Sequence, residues 1–125
     1  MEFPNDLIYS KEHTWIKLQD NIGTIGITAF AQKELGEIVY TDLPNVGYSF
    51  QQDEVCGSVE AVKTVSQLFM LVSGNIIETN KQLLKEPTLI NSAHFGDGWL
   101  IKIEIKELTE LENLLRSTQY KKLKN

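Results

Sequence analysis

Lys63 lies within Val59-Glu60-Ala61-Val62-Lys63-Thr64-Val65-Ser66, with Gly47 sixteen residues before it and Gly74 eleven after. Apolar β-formers flank it: Val55, Val59 and Val62 on one side, Val65, Leu68, Phe69 and Val72 on the other. Two such runs with little between them read as a β-hairpin with the lysine at its tip. A long amine there is solvated and can be reached by a modifying enzyme, so Lys63 has the placement of a prosthetic-group attachment point. The plainer alternative is an ordinary solvated lysine in a tight turn. The two glycines suit turns or close backbone approaches on either side of the hairpin.

Few other residues offer chemistry. Cys56 is the single cysteine, which excludes an internal disulfide; it reads as a small half-buried hydrophobe in a strand. There is no CxxC, no HExxH and no partner for His13 or His94 nearby in sequence, so no protein-made metal site is expected. Gly-x-Ser-x-Gly, P-loop and dinucleotide fingerprints do not occur. A Schiff-base role for Lys63 would need a desolvated amine, the opposite of a hairpin tip. Independent enzyme motifs are therefore absent.

At 125 residues there is room for one good core, so residues 1–125 are expected to form a single domain. A hydrophobic share of 42% with 23% charged residues is that of a soluble globular chain rather than a disordered one. The net charge of −5 argues against nucleic acid or an anionic membrane as partner. Apolar stretches are too short to span a bilayer, and Met1-Glu2-Phe3-Pro4-Asn5-Asp6 lacks the pattern of a secretory signal. These features suit a cytoplasmic monomer.

The positioning elements are short. Tyr9 to Leu18 and Ile22 to Ile27 read as strands around the turn Gln19-Asp20-Asn21. Thr28 can cap a helix through Leu35, stopped by Gly36. Ile38 to Leu43 is a strand ended by Pro44-Asn45-Val46-Gly47. After the Lys63 hairpin come a strand from Val72 to Glu78, a helical turn from Asn80 to Leu84, and a loop at Phe95-Gly96-Asp97-Gly98. Trp99, Ile101, Ile103 and Ile105 alternate with polar residues as one half-buried strand. Thr109-Glu110-Leu111-Glu112 has the form of a capping box opening a helix over about 109–116, with Leu111, Leu114 and Leu115 on one face. Many short strands with a terminal helix imply a mainly β fold, a compact sandwich or flattened barrel.

The order and spacing of several blocks resemble the glycine cleavage H-protein family. They include Tyr9-Ser10-Lys11-Glu12-His13-Thr14-Trp15, Gly26-Ile27-Thr28, Leu35-Gly36-Glu37-Ile38-Val39-Tyr40, Asp42-Leu43-Pro44, Val59-Glu60-Ala61-Val62-Lys63, Leu89-Ile90-Asn91-Ser92 and Gly98-Trp99-Leu100-Ile101-Lys102-Ile103. The resemblance runs to Tyr120 and implies a lipoyl/biotinyl carrier fold (a barrel-sandwich hybrid) with its lipoyl-binding core over about 22–105. It implies lipoic acid in amide linkage on Lys63, with Glu60 helping the lipoylating enzyme select that lysine. It implies a carrier for the aminomethyl group of glycine, from a pyridoxal-phosphate glycine decarboxylase (P protein) to a tetrahydrofolate-dependent aminomethyltransferase (T protein). A dihydrolipoyl dehydrogenase (L protein) and a lipoate–protein ligase or octanoyl/lipoyl transferase complete the implied partners. The implied location is the bacterial cytoplasm, or the mitochondrial matrix for a processed eukaryotic chain. A biotin lysine lies between methionines, whereas Val62 and Thr64 flank Lys63. A 2-oxo acid dehydrogenase lipoyl domain would be shorter.

The chain departs from the family pattern at Thr14, Ala29 and Gln67, where acidic residues are usual, and at Leu71, where proline is usual. If Thr14 and Gln67 line the groove where a loaded arm rests, they offer it only neutral hydrogen bonds, weaker than charge-assisted ones. Glu12, Glu34 or Glu37 can compensate; otherwise the chain would be a specialised lipoate donor to other lipoyl enzymes. Phe69-Met70-Leu71 reads as strand core, with an exposed docking patch as the alternative.

Overall fold

Short apolar runs broken by turn residues favour antiparallel strands, and the computed structural model, which describes residues 2–124, contains two antiparallel sheets. The first expected strand is divided: β1 (Ile8–Tyr9) and β2 (Thr14–Gln19) flank a turn in which His13 takes φ 67°. A left-handed residue reverses the chain where an extended one would have continued the strand. β3 (Ile22–Ile27) then leads to α1 (Ala29–Leu35), whose N-cap Thr28 accepts from the Ala31 amide and whose C-cap is Gly36, as the sequence predicts.

β4 (Ile38–Asp42) and the short β5 (Ser49–Phe50) follow, joined through Gly47 at φ 97°. β6 (Val55–Ala61) and β7 (Val65–Phe69) form the expected hairpin, and β8 begins at Gly74 (Gly74–Thr79). Two one-turn helices, α2 (Gln82–Lys85) and α3 (Leu89–Ser92), precede β9 (Ile101–Ile105). The larger sheet has the order β1-β2-β3-β9-β8-β5 and the smaller one β4-β6-β7. Ile16, Ile25, Ile76 and Ile103 of the first pack with Ile38, Val59 and Leu68 of the second in one core. The result is an unclosed sandwich of the expected mainly β class. Met70 and Leu71 are buried in this core, so they offer no exposed patch. Among the described residues no helix is long and apolar enough to cross a membrane.

The C-terminal helix does not run over 109–116. A 3₁₀ helix spans Leu108–Asn113, capped at Glu107 without a side-chain bond, and α4 spans Ser117–Lys124. The capping box expected at Thr109 does not form because Thr109 lies inside the 3₁₀ helix rather than at its cap; Glu110, next to it, is tied to Ser73, its carboxylate accepting from the Ser73 amide at 2.7 Å and the Ser73 hydroxyl at 3.0 Å. Leu115 then pairs with Tyr9 through two backbone bonds, which holds the chain extended between the two helices. Leu111 and Leu114 join the main core, while Leu115 joins a second cluster with Phe3, Leu7, Tyr9, Trp15 and Tyr120. The helix begins at Ser117 instead, just after Arg116, whose amide donates to Gln119 Oε1.

Candidate functional site

β6 and β7 pair antiparallel from Val55 opposite Phe69, through a register shift between Val55 and Gly57, to Glu60 opposite Val65. Ala61 donates its amide to Thr64 O at 2.8 Å, which closes the ladder and leaves Val62 and Lys63 as the turn. Both are exposed, Val62 at 72%, and Lys63 makes no ion pair among the described residues. The turn does not hang free. Val62 donates its amide to Glu37 O at 3.1 Å, tying the hairpin tip to the segment between α1 and β4.

That segment also supports the lysine. Gly36 has φ 80°, and a Cβ added there would lie 3.4 Å from Lys63 Cε and 4.0 Å from Nζ. The lysine stem therefore lies along a backbone without a side chain. Gln32, Lys33, Gly36, Glu37, Thr88 and Asn91 surround an open hollow of about 380 Å³ at this place. Its lining offers carboxamide, carboxylate, hydroxyl and ammonium groups at the foot of the amine.

Glu60 lies on the outer face of the smaller sheet. Tyr40, Glu60 and Val65 are successive cross-strand partners, so their side chains share one face, and all three are exposed. The next row on that face is Asp42, Ser58 and Gln67. A carboxylate between an aromatic ring and a β-branched side chain, three residues before the amine, makes a mixed apolar and acidic platform beside the tip.

The remaining singled-out residues sit elsewhere. Thr14 belongs to the larger sheet, opposite Ile27, and is 4% exposed. Its hydroxyl is 2.6 Å from Ser10 Oγ, so it is committed to an internal pair rather than facing an arm; Gln67 is exposed on the other sheet. The two do not form the wall expected of them. Their types decide only what they could bond, while tertiary position decides what they face. Of Glu12, Glu34 and Glu37, Glu37 borders the hollow. Ala29 is buried at the start of α1.

His13 Nδ1 is hydrogen-bonded to the Tyr120 hydroxyl at 2.9 Å, with Phe30 4.8 Å from its ring. The same hydroxyl is 2.8 Å from Thr28 Oγ1, the N-cap of α1. His94 lies in the loop after α3, its ring 4.7 Å from Phe95. Burial raises the Tyr120 phenol above its ordinary range, opposed by its bond to Thr28. Cys56 is buried and its thiol is pushed up to about 12 by desolvation.

Asn91 escapes notice in the sequence except as part of a block, yet it organises the ground beneath Lys63. Its Oδ1 accepts from the Ile38 amide at 2.9 Å, and its Nδ2 donates to Gly36 O at 2.7 Å and Gln32 Oε1 at 3.1 Å.

The model of the glycine cleavage H-protein family matches residues 7–125. A glycine cleavage system H protein of Brevibacillus brevis is 48% identical over 120 residues, covering 96% of this chain and 95% of its own. The namesake of Symbiobacterium thermophilum is 49% identical over 117 residues, covering 94% and 91%. A crystal structure of a glycine cleavage system H protein from Mycobacterium marinum superposes with a TM-score of 0.88. It is 33% identical and covers 98% of each chain.

Proposed function

This chain belongs to the glycine cleavage H-protein family, and from that premise we propose that it is the system's lipoyl carrier, with lipoic acid in amide linkage on Lys63. The observation that carries the reading is the exposed primary amine on the turn between β6 and β7, with Glu60 exposed on the adjoining outer face. Acylation needs an amine that another active site can enclose, and a turn of two residues presents one with little steric obstruction. The open hollow beside Gly36 leaves room for a substituent on Nζ.

The lipoyl group supplies the sulfur chemistry; the folded chain supplies tethering, orientation and docking surfaces. Covalent attachment keeps the arm at high effective concentration near whichever enzyme is docked. In this role the protein moves the aminomethyl group of glycine from the glycine decarboxylase to the aminomethyltransferase, and dihydrolipoyl dehydrogenase restores the arm. The outer face around Tyr40, Glu60 and Val65 is the surface for the lipoylating enzyme, which Glu60 directs to Lys63. The chain itself does not catalyse, and it works in the cytoplasm as a monomer.

The alternative role, a lipoate donor to other lipoyl enzymes, rests on the missing carboxylates at Thr14 and Gln67. Thr14 is held by Ser10 inside the larger sheet, so no contact at that position favours it.

Intact mass of protein made in a lipoate-competent host is expected to show one lipoyl increment, mapped to the Lys63 peptide and absent from Lys63→Arg. A biotinyl increment, or lipoate on another lysine of that variant, would overturn the assignment.

A further inference from the structure

We infer that Asn91 is a positioning residue for Lys63: its carboxamide locks the Gly36–Glu37–Ile38 segment on which the lysine and its turn rest. The inference depends on Lys63 being the lipoyl site. Gly36, Glu37 and Ile38 join the end of α1 to the start of β4. Segments of this kind carry amide and carbonyl groups that neither element satisfies.

Asn91 meets two of them at once, accepting from the Ile38 amide and donating to Gly36 O. Only a side chain with both donor and acceptor can do this, and Asn is the shortest amide that offers them. Its second donor reaches Gln32 Oε1, on the last turn of α1. The residue between the two clamped ones, Glu37, accepts through its carbonyl from the amide of Val62, the neighbour of Lys63. Gly36 itself lies beneath the lysine stem. One carboxamide, from a one-turn helix far along the chain, thus fixes both the floor under the amine and the anchor of its turn.

Loss of this clamp leaves the outer face at Glu60 intact, because that face is built by the β4–β6–β7 ladder. It frees the turn that aims the amine. Misplacement of a reacting group by about 1 Å can lower a rate on the order of 100-fold, so a partial loosening is expected to cost about tenfold. The effect belongs in kcat rather than KM.

The test follows amide formation at Lys63 Nζ by a lipoate–protein ligase with lipoyl-adenylate as donor and AMP as leaving group. Wild type is compared with Asn91→Ala and Asn91→Asp at a temperature where each is folded. The aspartate keeps an acceptor for Ile38 and removes the donor to Gly36 O, so it remains informative if the alanine variant does not fold. Asn80→Ala is the control. Asn80 is more deeply buried than Asn91, its carboxamide donates to Asp97 O and Trp99 O, and among the described residues it has no bond to the 36–38 segment.

We expect about a tenfold lower kcat in the Asn91 variants with KM within about twofold, and faster amide hydrogen exchange at Val62. The Asn80 variant should keep both at wild-type values. Unchanged kcat in the Asn91 variants, or equal losses in Asn91 and Asn80 variants of matched stability, would overturn the positioning role. Wild-type protein that takes no lipoate on Lys63 would instead overturn the carrier reading, and this inference with it.

Discussion

The stem of Lys63 lies over the bare α-carbon of Gly36, where a methyl group would come within 3.4 Å of the lysine Cε. Gly36 is also the C-cap of α1, at φ 80° and ψ −154°. That combination is all but confined to glycine and costs other residues on the order of 1–3 kcal/mol. Gly36→Ala should therefore lower the unfolding free energy by about that amount, measured by urea denaturation. A variant as stable as wild type would show that the helix end relaxes to another conformation at no cost.

Glu60 shows the opposite pattern, in which a residue matters for recognition and little for the fold. It is exposed between Tyr40 and Val65, and Glu60→Gln keeps its size while removing its charge. Stability should stay within about 0.5 kcal/mol of wild type. Modification of Lys63 by a lipoylating enzyme should nonetheless slow, read as the lipoyl mass increment against time. Equal rates would leave Glu60 as a solvated strand residue only.

What the sequence reveals follows the range of the interactions. Thr28 and Gly36 bound α1 correctly because both caps act within a few residues of the helix they close. The Lys63 hairpin is legible because its two runs of apolar β-formers are adjacent, with little between them. The C-terminus is not, since Ser73 captures Glu110 and Tyr9 captures Leu115, and neither partner is near in sequence. Thr14 and Gln67 appear equivalent as substituted positions, yet one is bonded inside the larger sheet and the other exposed on the smaller. Asn91 carries no local signal for the same reason: all three of its partners lie more than fifty residues away.

Tyr120 gives this distant organisation a measurable form. Its ring stacks on Tyr9 at 4.9 Å, and its hydroxyl lies within hydrogen-bond distance of both His13 Nδ1 and Thr28 Oγ1. Tyr120→Phe retains the stack and removes that hydroxyl from a fully buried site. The loss should be about 1–3 kcal/mol, the range for leaving buried polar groups short of a partner. Thermal or urea unfolding checks it. A loss below the lower figure would mean that water or a neighbouring group replaces the hydroxyl.

Cys56 makes an alkaline prediction whose sign can be worked out. Desolvation raises its thiol from 9.0 to about 12, against a smaller lowering by a hydrogen bond to its own backbone. Below pH 9 the thiol is protonated in both folded and unfolded chains, so its contribution is fully present. Between pH 9 and about 12 the unfolded chain releases the proton while the folded chain keeps it. The unfolded state then binds fewer protons, and the unfolding free energy must fall as pH rises. One thiol contributes a slope of at most about 1.4 kcal/mol per pH unit. Tyr9 and Tyr120, both raised chiefly by burial from 10.0, steepen the fall above pH 10. Cys56→Ala should consequently flatten the stability curve between pH 9 and 10 and leave the steeper tyrosine region in place. Urea unfolding at half-unit intervals from pH 7 to 11 measures both. Parallel curves for variant and wild type through that first interval would mean that the thiol ionises equally in the folded and unfolded chains, and that burial in β6 does not protect it.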